Sequence, residues 1–179
     1  MLLPFATPSE LATWTGGTLT YIQAQAALEI ASAQIRRQCG WSITQETRTD
    51  TLDGTGRPNL WLPTLLLTAV TSVVENGVTL TLATDYDWTR TGKLIRIGTL
   101  WTNKPRAVVV TYTHGYTVEP SDVKGIAMSL AVRGAANPTG VRSYTVGGVS
   151  ETYAGTAEDI GPLLGEAERE ALAPYRLPV

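Results

Sequence analysis

The residues of this chain that can do chemistry are few and scattered. A single histidine, His114, stands in Tyr112-Thr113-His114-Gly115-Tyr116, at the end of a strand-like run. A single cysteine, Cys39, falls near the end of an Ala-rich helical stretch. Neither has a companion at metal-ligand spacing, so together they make no zinc site. No Gly-x-Ser-x-Gly elbow accompanies the histidine, and His114 reads as a structural residue of a turn. Cys39 reads as a small buried hydrophobe, and one cysteine cannot form an intrachain disulfide.

Two close pairs of carboxylates occur in the middle of the chain. Asp50 and Asp53 precede Gly54 but lack the far acidic residue that a calcium loop needs. Asp85 and Asp87 alternate around Tyr86, which places both on one strand face. A glycosidase pair has that chemistry, whereas a charged strand edge is the more ordinary use of the pattern. Gly54-Thr55-Gly56 and Gly147-Gly148 lack the strand–loop–helix setting and the lysine of a phosphate cradle. Lys93, Arg96, Lys104 and Arg106, interleaved with Trp101, could form a small nucleic-acid surface, but they read better as a solvated strand face and loop. Trp14, Trp41, Trp61, Trp88 and Trp101 read as core or inter-sheet packing. No catalytic residue, metal site or cofactor is therefore expected.

The elements that would position these residues fall into three blocks. Thr7-Pro8-Ser9-Glu10 is a capping box with proline at the first helical position, and Gly16-Gly17 ends that short helix. A longer helix is predicted from about Thr20 to Gln38, with Ile22, Ala26, Ile30 and Ile35 as its apolar stripe. Ala24, Ala27, Leu28 and Ala31 thicken that stripe, Arg36 and Arg37 suit its last turn, and Gly40 closes it. From Trp41 the pattern turns to β. Strands are predicted in Ser42–Leu52, Leu60–Leu62, Ala69–Glu75, Val78–Leu82, Lys93–Ile97 and Ala107–Thr113, the last lying centrally in its sheet. Asn76-Gly77 marks a tight hairpin. A third helix is predicted from Pro120-Ser121-Asp122 to about Ala136, ending before Asn137-Pro138. A hairpin around Gly147-Gly148, from Val141 to Tyr153, and a short helix from about Gly165 to Leu172 follow. The predicted class is α+β: a small helical bundle with a β-sheet insertion between its second and third helices. The blocks are 1–40, 41–117 and 118–179, the last completing the helical module as one structural unit.

Composition narrows the function classes. Charged residues make up only 17% of the chain, with Thr and Gly in their place, which favours strands and turns. A net charge of −2 supplies no global attraction toward phosphate, so any DNA contact is local or a matter of enclosure. The N-terminal residues lack the basic region and apolar length of a signal peptide, and no run approaches the roughly 18 apolar residues of a membrane span. A soluble protein made in the cytoplasm is expected.

The chain from Leu52 onward resembles the head–tail connector (head-completion adaptor) proteins of long-tailed phages, particularly those infecting actinobacteria. The matching stretches are LDGTG, LWLP, VTSVVENGVTL and DYDWTRTGKLIRIG with Trp101 following. KPRAVVVTYTHGY then runs into EPSDVKGIAMSLAVRGAANPTGVRSYTVGGVSETYA, and GEAEREALAPYR resembles the closing helix of the family. About two thirds of the chain is covered, and no single motif decides the matter. Gly134 inside the third helix and Pro174 in the closing segment depart from the pattern.

The resemblance implies a virion neck protein: a ring of twelve copies beneath the portal that extends the DNA channel toward the tail. The implied partners are the portal protein, a downstream stopper or tail-completion protein, further copies of the chain, and passing DNA touched without specificity. The Thr/Val-rich sheet would offer edges for pairing between subunits. Arg142, Tyr144, Gly147, Gly148 and Tyr153 are expected to act as an adaptable contact hairpin. Tyr175 and Arg176 are expected to anchor the closing segment, Glu166–Val179, on the portal. Three rival readings remain: another neck or tail-completion protein, a carbohydrate-binding module using Tyr86, Trp88 and Trp101 as a stacking platform, and a hydrolase built on Asp85 or Asp87.

Overall fold

The computed structural model describes residues 3–137, 143–146, 149–152 and 163–178. It contains both helices and antiparallel sheets, an α+β fold, and divides into two compact units. One comprises Met1–Gly40 and Glu119–Arg176; the other comprises Trp41–Val118 and Leu177–Val179.

In the helical unit, α1 (Pro8–Trp14) and α2 (Tyr21–Cys39) both begin with reciprocal caps. Thr7 N–H donates to Glu10 Oε2 at 2.8 Å while Glu10 N–H donates to Thr7 Oγ1 at 3.2 Å. Thr20 and Gln23 repeat the arrangement at 3.0 and 3.4 Å. Each cap satisfies two backbone donors that a helix start leaves open. At the other end of α2, Gly40 adopts φ 80° and returns its N–H to Arg36 O, a left-handed cap that needs glycine. α3 (Ser121–Ala136) packs on α2, and the buried residues of the pair include Ala24, Ala31, Ala127 and Ala131. Small side chains at those positions let two helices approach closely.

The buried row of α2 differs from the predicted one. It consists of Ala24, Leu28, Ala31, Ile35 and Cys39, whereas Ile22 and Ile30 are exposed. Ala24, Leu28, Ala31 and Ile35 of the expected stripe are buried, whereas Ile22, Ala26 and Ile30 of the same stripe face outward. The closing segment also contributes more to the core than its composition suggests. α4 (Glu166–Ala171) and a 3₁₀ turn (Ala173–Tyr175) flank Leu172, which is fully buried, and Arg133 ties α3 to Glu168 at 2.8 Å. Between α3 and α4, β8 (Ser143–Val146) pairs antiparallel with β9 (Val149–Thr152), as predicted for this hairpin.

The β unit holds two sheets. The larger runs in the order β1-β7-β3-β4, from Glu46–Leu52, Val108–His114, Leu67–Glu75 and Val78–Thr79; the smaller runs β2-β6-β5, from Asn59–Trp61, Lys93–Arg96 and Tyr86–Trp88. β7 is central, as its β-branched run implies. Asn76 and Gly77 both have positive φ and join β3 to β4 in a two-residue turn. β4 ends at Thr79, three residues short of the prediction, and β1 starts at Glu46, four residues later than predicted. Alternation sorts the faces of the large sheet. Thr47 and Thr49 lie opposite Thr113 and Thr111 on one side, hydroxyl to hydroxyl at 2.7 and 2.9 Å. Val108, Val110 and Tyr112 join Leu67, Val73, Leu94 and Trp101 in the core on the other.

Candidate assembly surfaces

The groups that could do chemistry are taken up by structure. His114 ends β7, fully buried between the rings of Trp41 and Tyr112, at centroid distances of 6.0 and 5.3 Å. Its Nε2 lies 3.3 Å from Glu46 Oε1, yet neither ring nitrogen has a well-formed hydrogen bond. Beside it, Tyr112 donates to Asp50 Oδ2 at 2.5 Å and Arg48 Nε donates to Asp50 Oδ1 at 3.0 Å. Burial lowers the His114 pKa below its ordinary 6.5, opposed by the Glu46 carboxylate. The imidazole is therefore buried neutral.

A pH dependence follows from this. Above about 6.5, the ordinary histidine pKa, His114 is neutral in the folded and unfolded chain alike and the full stability is present. As the pH falls below that value, the unfolded chain takes up a proton that the folded one refuses, so stability drops toward the folded-state pKa. Urea midpoints between pH 7.5 and 5.5 should fall for the parent and stay flat for His114→Gln. Equal slopes would remove His114 as the cause.

Cys39 is buried and free, and burial pushes its thiol up to about 11. Asp85 Oδ2 accepts the backbone N–H of Thr81, and Asp87 Oδ1 accepts that of Trp88. Both carboxylates thus cap local backbone. The stacking platform of the carbohydrate reading does not exist, because Trp101 and Tyr86 are buried at 1% and 3% exposure. Arg96 leaves the proposed basic surface for the same reason: its guanidinium is paired with Glu75 inside the unit. Lys93 lies 5.7 Å above the Trp61 ring, and Lys104 and Arg106 remain on an exposed loop. Among the described residues no group of three or more His, Cys, Asp or Glu is placed to hold a metal, and no helix is long and apolar enough to cross a membrane.

What the surface does offer is exposed apolar area. Trp14 and Trp61, read from sequence as packing residues, are each 60% exposed. Both were misjudged because aromatic content alone does not tell a core side chain from a surface one. In the β unit, Trp61 on edge strand β2 opens an apolar cleft of about 860 Å³ with Leu52, Leu62, Pro63 and the tail residues Leu177 and Pro178. In the helical unit, a groove of about 350 Å³ runs between α2 and α3, lined by Leu19, Ala26, Ile30, Leu130 and Gly134. An exposed apolar patch rimmed by polar residues is the ordinary mark of a protein interface. The sequence held a signal for the second one: α2 carries apolar residues on two faces.

Of the contact residues expected from sequence, Tyr144, Tyr175 and Arg176 are among the described residues. Tyr144 lies in β8 opposite Glu151, whereas Arg142, Gly147, Gly148 and Tyr153 lie outside the described residues. Tyr175 donates its hydroxyl to the Asp122 carboxylate at 2.9 and 3.0 Å, which fastens the closing turn to the start of α3. Arg176 is exposed beside it.

Comparison with known proteins identifies a family and a fold. The sequence model described as head completion protein matches residues 15–176. No curated protein matches the chain. Two solved structures share the fold at 14% identity over the whole of this chain. One is from the neck of a native gene transfer agent particle computed with C12 symmetry, with TM-score 0.63 and 97% of that chain covered. The other is from the virion of a native gene transfer agent particle, with TM-score 0.58 and 94% covered.

Proposed function

The chain belongs to the head completion protein family, and from that premise we propose that it is a structural head-to-tail adaptor in the virion neck of a long-tailed phage. In this reading copies of the chain form a ring under the portal protein, extend the DNA channel and present the surface on which a stopper or tail-completion protein docks. The observation that carries it is the family match over residues 15–176, and the fold shared with a chain from a neck computed with C12 symmetry supports a ring of twelve. The role calls for no catalysis. Exposed apolar clefts on both units and a histidine and cysteine committed to packing suit a protein that binds other proteins. A weakly charged acidic chain also suits a channel wall, since dense phosphate contacts would hold back the passing DNA.

Within this reading the hairpin from Val141 to Tyr153, with Arg142, Tyr144, Gly147 and Gly148, is the adaptable contact loop, and Tyr175 and Arg176 belong to the portal-facing end. The β-sheet unit would stand as an insertion between α2 and α3. Electron microscopy of lysates from particles lacking this gene tests the whole. Filled or leaking heads beside separate, complete tails are expected. Normal tailed particles would overturn the adaptor reading.

A further inference from the structure

α2 is apolar on two opposite sides. One row, Ala24, Leu28, Ala31 and Ile35, is buried within the helical unit. The other, Ile22, Ala26, Ile30 and Ala33, recurs at helical spacing and is exposed, with Ile22 at 78% and Ile30 at 56%. A helix with one face in the core normally turns a polar face outward, and apolar residues on both faces signal burial on both. Ala26 and Ile30 also form one wall of the groove toward α3, whose other side includes Leu130 and Gly134.

The charge around this face indicates what covers it. The helical unit carries ten acidic against seven basic residues over Met1–Gly40 and Glu119–Arg176. The net like charge opposes association of two copies, and least so where the contact surface carries little charge. The exposed row is such a place. Its flanks from Tyr21 to Gln34 are the neutral amides Gln23, Gln25 and Gln34, the one acid, Glu29, accepts a hydrogen bond from Gln25 at 3.1 Å, and the first exposed cation in line with the row is Arg37, a turn beyond Ala33. A strongly charged partner finds no counter-charge there, whereas a like-charged copy finds no repulsion.

We infer that the outward face of α2, Ile22-Ala26-Ile30 with the adjoining groove, is where a second copy of this chain docks. The inference rests on the ring reading above and names the surface that would build the ring. Sedimentation velocity over a concentration series tests it on the full chain. The double variant Ile22→Ser/Ile30→Ser should weaken self-association at least about tenfold, since burial of two isoleucines is withdrawn. Its thermal midpoint should stay at the parent value, because both side chains are exposed. Leu82→Ser, at an exposed apolar site of the β unit, should associate like the parent. Unchanged association of the double variant overturns the inference, and so does a parent chain that stays monomeric to roughly millimolar concentration. The deletion experiment separates the two claims. Tailless heads there, with association indifferent to the α2 variant, would leave the neck role standing and remove this interface. Normal particles there would remove the neck role whatever the association shows.

Discussion

Arg96→Met is expected to destabilise the β unit by about 3–5 kcal/mol, the usual cost of leaving one half of a buried ion pair without its partner. Arg96 sits on β6 of the smaller sheet with its side chain only 12% exposed, and Glu75 sits at the end of β3 of the larger sheet with 10%. Arg96 Nε donates to Glu75 Oε2 at 3.1 Å, and Nη1 donates to the backbone carbonyl of Asp85 at 2.6 Å. The second carboxylate oxygen of Glu75 accepts the backbone N–H of Thr102 at 2.7 Å. The guanidinium also lies 5.6 Å from the centre of the buried Trp101 ring. Methionine preserves most of the stem but leaves Glu75 charged in a dry place. Adding Glu75→Gln removes that charge and retains an acceptor for Thr102, so the double variant should be more stable than the sum of the two single losses implies, by about 1 kcal/mol or more. Urea denaturation of the four proteins measures the cycle. A loss below about 1 kcal/mol for Arg96→Met would mean that water reaches the pair and the Coulombic term is screened.

Gly115→Ala should be nearly as damaging, for a backbone reason. Gly115 follows β7 with φ +94°, and its N–H donates to Leu66 O at 2.8 Å. The chain before β1 crosses there: Gln45 N–H donates to Tyr116 O at 2.9 Å and Tyr116 N–H to Ile43 O at 2.8 Å. A Cβ on residue 115 would lie 2.4 Å from Thr44 O and 2.6 Å from Thr44 C, so main chain has to move. The left-handed backbone costs roughly 1–2 kcal/mol for a side chain, and forced displacement of a packed segment adds about 1–3. Gly77→Ala is the control. Gly77 has a similar φ of +82° but open space where a Cβ would go, so it should lose only the conformational part, about 1 kcal/mol. Thermal unfolding of both variants separates the effects, and equal losses would show that the close approach at Gly115 is relieved at no cost.

Local signals account for much of what was legible. The Thr7–Glu10 box, the Asn76-Gly77 turn and the Gly40 cap each depend on residues within a few positions of one another, and each is present in the structure. Ile22 and Ile30 fall at helical spacing and yet lie outside the core, because spacing marks an apolar face without telling which of two such faces meets a partner. Which face of α2 turns inward depends on how closely α3 can approach, and that is set by Ala127 and Ala131, about a hundred residues away. Trp61 and Trp101 make the same point. Trp61 on β2 lines an open cleft, whereas Trp101, in the loop after β6, is sealed beside Arg96, because only the packing of distant segments decides which aromatic is covered.

By itself the sequence determined the alternation of helical and β segments and the caps and turns that bound them. These are properties of spacing, and spacing needs no partner from afar. The tertiary structure alone decided that Glu75 and Arg96 would neutralise each other, that His114 would be enclosed by Trp41 and Tyr112, and that α2 would keep an apolar row outside. Burial and pairing between distant residues are set by which surfaces meet, and in this protein the outward row of α2 is the surface left for another chain to cover.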